Sequence, residues 1–161
     1  MIRIIAALDI KRGVAKDGKQ PKTVQSDLAY FAKQTRMHGG LLLVGGTTFR
    51  NEFHSKTLLE RKLIVLSRTE QPSEDVVVVR SLQEAKDYIK DRDVWVVGGA
   101  SLYRQCVEEG YADELYITQI DADFHCDQFF PEYESRYTRI SRSETNEENG
   151  IRFAYEIYRK N

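Results

Sequence analysis

Five short apolar runs constrain what this chain can fold into more than any other feature: Ile2–Leu8, Leu41–Val44, Lys62–Leu66, Val76–Val79 and Val94–Val97. None alternates strictly. A strand covered on both faces reads this way, whereas a strand with one wet face alternates apolar and polar residues. Helical periodicity fills the gaps, over residues 25–36, 47–54, 81–90 and 100–109. In the third of these, Leu82, Ala85, Tyr88 and Ile89 form an apolar stripe; Ser81 is a natural N-cap, with Glu84 completing a capping box. The last third changes character. Residues 114–120, 137–143 and 151–158 alternate more strictly, as in Ile151, Phe153, Tyr155 and Ile157, and Glu147-Glu148-Asn149-Gly150 reads as a turn. The pattern predicts a twisted, mostly parallel sheet with helices on both sides, a three-layer α-β-α arrangement, closed by an antiparallel hairpin at one edge.

The length, 161 residues, suits one domain spanning 1–161. A net charge of -1 supplies no global field towards nucleic acid or membrane. The N-terminal apolar run is too short for a membrane span and is followed by charge, not a cleavage site. Cys106 and Cys126 lack metal-type spacing, and a chain this long does not need a disulfide, so a reduced cytoplasmic protein is expected. His38, His54 and His125 stand in polar surroundings and are read as surface residues, with no metal assigned.

Asp27 is the first candidate for chemistry. It opens the helix at 25–36, and Asp27, Leu28 and Phe31 share a helix face. An acid beside apolar side chains is suited to handling a proton. The same acid also simply favours the first helical turn. Two strand ends, Val44-Gly45-Gly46-Thr47-Thr48 and Val97-Gly98-Gly99-Ala100-Ser101, lead through glycines into helices. Such junctions admit a ligand close to the backbone and offer free amides to phosphate, or they are tight turns. At the carboxyl ends of strands in an open α/β sheet, two of them can hold the halves of a dinucleotide. Ser67-Arg68 closes a strand with a hydroxyl and a guanidinium suited to a terminal phosphate, and Arg61 can grip a carboxylate in bidentate fashion. Taken alone, both arginines read more readily as surface charges. The polar stretch from Asp9 to Val24 has the length of a lid, and Thr118 lies in a strand from which its hydroxyl can reach Asp27.

These residues, taken in order, resemble the dihydrofolate reductase family over essentially the whole chain. The matching pieces are Ile4-Ile5-Ala6-Ala7, Pro21, Asp27-Leu28-Ala29-Tyr30-Phe31, Val44-Gly45 with a Thr-Thr-Phe helix start, Arg61-Lys62 and Leu66-Ser67. They continue through Val97-Gly98-Gly99 with Tyr103, Leu115-Tyr116-Ile117-Thr118, Ile120-Asp121-Ala122, Asp127 and Phe130-Pro131. The resemblance implies a mostly parallel eight-stranded sheet and reduction of dihydrofolate by NADPH, with hydride delivered to C6 and a proton to N5. It implies a pterin pocket formed by Ile5, Ala6, Asp27, Leu28, Phe31, Phe53, Arg61, Val97, Tyr103 and Thr118. In that pocket Asp27 is the catalytic acid, Thr118 its hydroxyl partner and Arg61 the clamp on the glutamate carboxylate. It implies a cofactor site formed by Ala7, Val14, Gly46, Thr47, Thr48, Leu66, Ser67, Arg68, Val97, Gly98, Gly99, Ala100, Ser101, Leu102 and Tyr103, with a cis peptide between Gly98 and Gly99. Antifolate-type ligands, a monomeric state and a place in one-carbon metabolism follow from the same resemblance.

The chain also departs from the family. Lys22 stands where Trp is usual, Gln20 replaces an apolar lid residue, Gly46 replaces an Arg that meets the 2'-phosphate, and Ser101 occupies another frequently basic position. About two extra residues separate Phe49 from Arg61 relative to the family's loop. These departures keep two other readings open: a related pyrimidine or pterin reductase of the riboflavin-pathway type, and an NADP-binding protein with weakened turnover.

Overall fold

The computed structural model describes residues 1–21, 25–54, 58 and 60–161. In chain order the elements are β1 (Ile2–Leu8), β2 (Gly13–Ala15), α1 (Gln25–Arg36), β3 (Leu41–Gly45) and α2 (Gly46–Thr48), which runs on into a π-helical turn at Phe49–Phe53. They continue with β4 (Lys62–Leu66), β5 (Val76–Val79), α3 (Leu82–Ile89), β6 (Val94–Val96), α4 (Ala100–Glu108) and β7 (Glu114–Ile120). The chain ends with β8 (Gln128–Phe129), β9 (Tyr137–Arg142), β10 (Asn146–Glu148) and β11 (Ile151–Lys160). The main sheet runs β10-β11-β7-β1-β6-β3-β4-β5. β10 pairs with residues 151–153 of β11 and β9 with residues 156–160, so the two share one edge place and the sheet is eight positions wide. Pairings from β7 through β5 are parallel, and those of β11 are antiparallel.

The apolar runs now have a cause. Side chains alternate across a strand, and both faces of the central strands are covered. Ile4, Leu41, Leu43, Ile64, Val94 and Val96 pack towards α3 and α4, where they meet Leu82, Ala85, Ile89, Leu102 and Val107. Ile5, Leu42, Val44, Leu63, Val65 and Trp95 pack on the opposite face with Tyr30 and Phe31 of α1. Ser81 caps α3 by accepting from the Glu84 amide at 3.0 Å, as its position predicts. The Glu84 carboxylate, however, reaches the amide of Arg80 at 2.8 Å, one residue further back than the expected box.

The stretch from Asp9 onwards is less free than its polar sequence suggests. It contains β2, which pairs with β8. Asp9 is only 2% exposed. Its Oδ1 accepts from the amides of Lys11 at 2.9 Å and Gly13 at 2.7 Å, and its Oδ2 accepts from the amide of Phe124 at 3.1 Å. One carboxylate thus folds the base of this stretch and joins it to the segment after β7. Gly13 packs so tightly there that a Cβ would lie 2.5 Å from Cys126 Cβ and 2.9 Å from Asp9 Oδ1. No helix among the described residues is long and apolar enough to cross a membrane. Replacing Asp9 by Ala strands the buried Gly13 amide and two neighbours, so Asp9→Ala is expected to cost about 2–4 kcal/mol, read as a lowered midpoint in urea denaturation.

Candidate active site

The chain leaves β1 for α1 and β3, while β6 is inserted between β1 and β3. That change of direction opens a crevice at the carboxyl ends of the three strands, where α/β sheets hold ligands. A cavity of about 650 Å³ occupies it. Ile5, Ala6 and Ala7 of β1 form part of its wall. Asp27, Leu28 and Phe31 of α1 and Phe53 beyond α2 form another part, with Arg61, Val97, Tyr103 and Thr118. Leu28 is 60% exposed, so the cleft opens towards solvent on that side. Phe31 and Phe53 face each other across a tilted contact of 6.4 Å.

Asp27 is buried in this wall at the first turn of α1. The Thr118 hydroxyl of β7 donates to its Oδ1 at 2.6 Å, so a strand hydroxyl and a helix carboxyl distant in sequence form one unit. Among the described residues Oδ2 accepts no hydrogen bond, and since no buried side-chain oxygen lacks a partner, Oδ2 is open to a ligand. Burial raises the Asp27 pKa above the ordinary carboxylate value, against the opposing effect of the Thr118 hydrogen bond. The acid therefore holds its proton to higher pH than a surface aspartate.

Arg61 reaches the cavity from just before β4. Its Nη1 donates at 3.1 Å to the hydroxyl of Thr35, which in turn donates at 2.7 Å to the Phe31 carbonyl. Burial and then the neighbouring charge of Arg36 lower the Arg61 pKa, and Glu60 opposes them. Thr35, fully buried at the end of α1, thus orients the guanidinium. Its one sequence signal was a position one turn after Phe31 on the same helix face.

The two glycine junctions meet. The Gly45 amide donates to the Gly98 carbonyl at 2.8 Å, and the Gly98-Gly99 peptide is cis. A Cβ at Gly99 would lie 2.5 Å from Thr48 Oγ1, and one at Gly98, where φ is 132°, would lie 3.3 Å from Thr48 Cγ2. Only glycine leaves this seam narrow enough for α2 and α4 to begin side by side. Gly46, Thr47, Thr48, Ala100, Ser101 and Leu102 all line the cavity there, as does Leu66.

The Ser67-Arg68 end differs from the sequence expectation in placement. Neither residue lines the cavity; Arg68 is exposed, and Ser67 Oγ accepts from the amides of Thr69 and Glu70. Ser67 lies directly behind Gly46, whose added Cβ would be 2.9 Å from Ser67 Oγ and 3.4 Å from Arg50 Nη1. Arg50, which sequence reading did not single out, therefore brings a guanidinium to the place where Gly46 has no side chain. It donates weakly to Thr47 Oγ1 at 3.4 Å and lies 3.7 Å from the Glu70 carboxylate. Val14, Ala15, Gly18 and Gln20 cover the cavity from the lid stretch, and Gln128 joins them from β8. Asp127 Oδ2 accepts from the Asp17 amide at 3.1 Å. Lys22 and part of the longer loop before Arg61 lie outside the described residues.

The sequence model of the family described as dihydrofolate reductase matches residues 1–160. The dihydrofolate reductase of Bacillus subtilis (strain 168) is 33% identical over 165 residues, spanning 99% of this chain and 95% of its own. That of Aedes albopictus is 30% identical over 179 residues, spanning 98% and 96%. Among solved structures, a dihydrofolate reductase from Enterococcus faecalis, complexed with NADP(H) and RAB-propyl, superposes with a TM-score of 0.87 at 27% identity. That superposition covers 100% of this chain and 96% of the other.

The raised Asp27 pKa has a consequence for stability. The folded protein binds a proton here more tightly than the unfolded chain, so Asp27 stabilises fully below the unfolded value of about 3.9, and that contribution is lost as pH rises through the folded pKa. Asp27→Asn, which keeps an acceptor for Thr118, is expected to be more stable than the parent at pH 7–8. Denaturation curves across pH should show the advantage shrinking as pH falls towards 4.

Proposed function

This chain belongs to the dihydrofolate reductase family, and we propose that it is an NADP-dependent reductase that converts 7,8-dihydrofolate to 5,6,7,8-tetrahydrofolate. The observation that carries the reading is the buried Asp27–Thr118 pair, with one carboxyl oxygen open at the floor of a mostly apolar cleft. A 2-aminopteridine offers an amino group and a ring nitrogen to such an acid. Ile5, Leu28, Phe31 and Phe53 supply apolar walls for a flat ring, and Arg61 at the rim suits the glutamate carboxylate.

The glycine seam is the test of whether a dinucleotide suits the second half of the cleft. A side chain at Gly98 or Gly99 would collide with Thr48, so bare backbone faces the cavity at that point. The amides opening α4 at Ala100, Ser101 and Leu102, with Thr47 and Thr48, are the groups to hold a pyrophosphate. Ala7 and Val14 are the groups to position the nicotinamide carboxamide. NADPH, when bound, supplies the hydride. The protein's own contribution is to align two rings, exclude water with the lid stretch, and keep a carboxyl group able to polarise and protonate the N5 side of the pterin. Neither Ser67 nor Arg50 lines the cavity, but both lie behind Gly46, which does; Arg50 is the guanidinium available to a 2'-phosphate reaching that point, in place of the arginine usual there. The free thiols of Cys106 and Cys126 support a reducing, cytoplasmic setting. A single-domain monomer serving one-carbon metabolism completes the reading.

The direct check is NADPH oxidation followed at 7,8-dihydrofolate saturation. Turnover should fall as pH rises and Asp27 loses its proton, and Asp27→Asn should lower kcat by about 10²-fold or more while NADPH affinity stays unchanged. Activity on a ribosylaminopyrimidine alone, or cofactor binding without turnover at any pH, overturns the proposal. A second measurement concerns cofactor choice. Arg50→Gln should reduce kcat/KM with NADPH by about tenfold, leave it unchanged with NADH, and so narrow the preference.

A further inference from the structure

A second cavity, of about 550 Å³, shares no lining residue with the first. It lies between the residues that follow β1, the outer face of α4, and the segment after β8. Lys11, Arg12, Arg104 and Arg136 bring four cations to it, against two carboxylates, Glu108 and Glu132.

The distribution of partners decides what remains available. Glu108 is held by Arg104 at 3.0 Å in an i,i+4 pair. Both oxygens of Glu132 are engaged by Ser135, through its amide at 2.9 Å and its hydroxyl at 2.7 Å. Lys11 lies 3.1 Å from Asp123, a residue outside the cavity wall. Arg12 and Arg136 differ from these. Arg12 Nε donates to the Phe130 carbonyl at 3.2 Å, and Arg136 Nη1 donates to the Glu108 carbonyl at 3.1 Å. Among the described residues neither has a carboxylate within ion-pair distance, and the Arg12 charge is felt only at longer range by Glu132 of the same wall, whose oxygens Ser135 holds. A carbonyl fixes the direction of a guanidinium without neutralising it, and leaves its other donors for a ligand. Arg12 sits, at a positive φ of 62°, in the turn from Asp9 to Gly13.

We propose that this second cavity binds a small multivalent oxyanion, gripped chiefly by the backbone-anchored guanidinium groups of Arg12 and Arg136. The shared chemistry is that of phosphate and carboxylate, since either matches the planar fork of arginine. The site is independent of the reductase reading, because none of its residues lines the catalytic cleft. It nevertheless bridges the base of the lid stretch and the helix whose first turn lines that cleft, so an occupant would tie those two segments together.

Isothermal titration of the 161-residue chain with sodium tripolyphosphate, and separately with citrate, at fixed ionic strength tests the proposal. Saturable binding is expected, and Arg12→Gln/Arg136→Gln should weaken it by about tenfold or more. A charge-matched control on distant surfaces, Lys33→Gln/Lys90→Gln, should leave it unchanged. Binding of both probes supports a general oxyanion site, and binding of tripolyphosphate alone supports a phosphate site. If the double variant does not fold, Arg136→Lys serves in its place, since it keeps the charge, loses the fork and should weaken binding several-fold. Absence of saturable binding with either probe, or equal affinity in parent and arginine variants, overturns the proposal.

Discussion

A carboxyl group withdrawn from water and held by a strand hydroxyl governs the rest of the site. Burying Asp27 is unfavourable for its charged form, and the Thr118 hydrogen bond offsets only part of that cost. The fold tolerates this because both partners are fixed by elements with independent reasons to exist. Thr118 is set by β7, paired along its length with β1 and β11. Asp27 is set by α1, whose Tyr30 and Phe31 pack against the sheet core. A ligand that brings donors to the free carboxyl oxygen relieves an existing penalty. Selectivity for such a ligand is therefore built in before any contact with its remaining atoms.

The same logic explains which features were legible in the sequence. Continuous apolar runs revealed the doubly covered strands, because burial on both faces leaves no room for charged residues in β3 and β6, or in β4 beyond the exposed Lys62 that opens it. Alternation revealed the antiparallel edge at β11. The first-turn acid, the strand-end glycines, Arg61 and Thr118 each admit a structural reading beside the functional one, so residue type alone marks them only as candidates. The family resemblance added their order along the chain. What escaped were features created by contact between distant, short and polar segments. β2 and β8 are three and two residues long, and neither carries a periodic signal. Asp9 looks like any polar loop residue until Phe124 and Cys126 are brought against it. Thr35 has a role only because Arg61 arrives beside it.

Arg50 shows the limit of position-by-position comparison. Gly46 reads as the loss of a charge, because it stands where arginine is usual in the family. In three dimensions the missing side chain opens a gap behind which Ser67 lies, and Arg50, one turn later, turns its guanidinium into that gap. A helix places residues four apart on one face, so a charge can move one turn along the chain and still serve the same point in space. The turn that joins Gly46 to Arg50 is itself irregular. α2 is only three residues long and continues as a π-helical turn, which shifts the side chains that follow relative to a regular α-helix. Order in the sequence and nearness to Gly46 thus part company where the helix is irregular. Arg68 lies next to Ser67 in the chain but faces solvent, whereas Arg50, remote from Ser67 in the chain, approaches it through the space that glycine leaves.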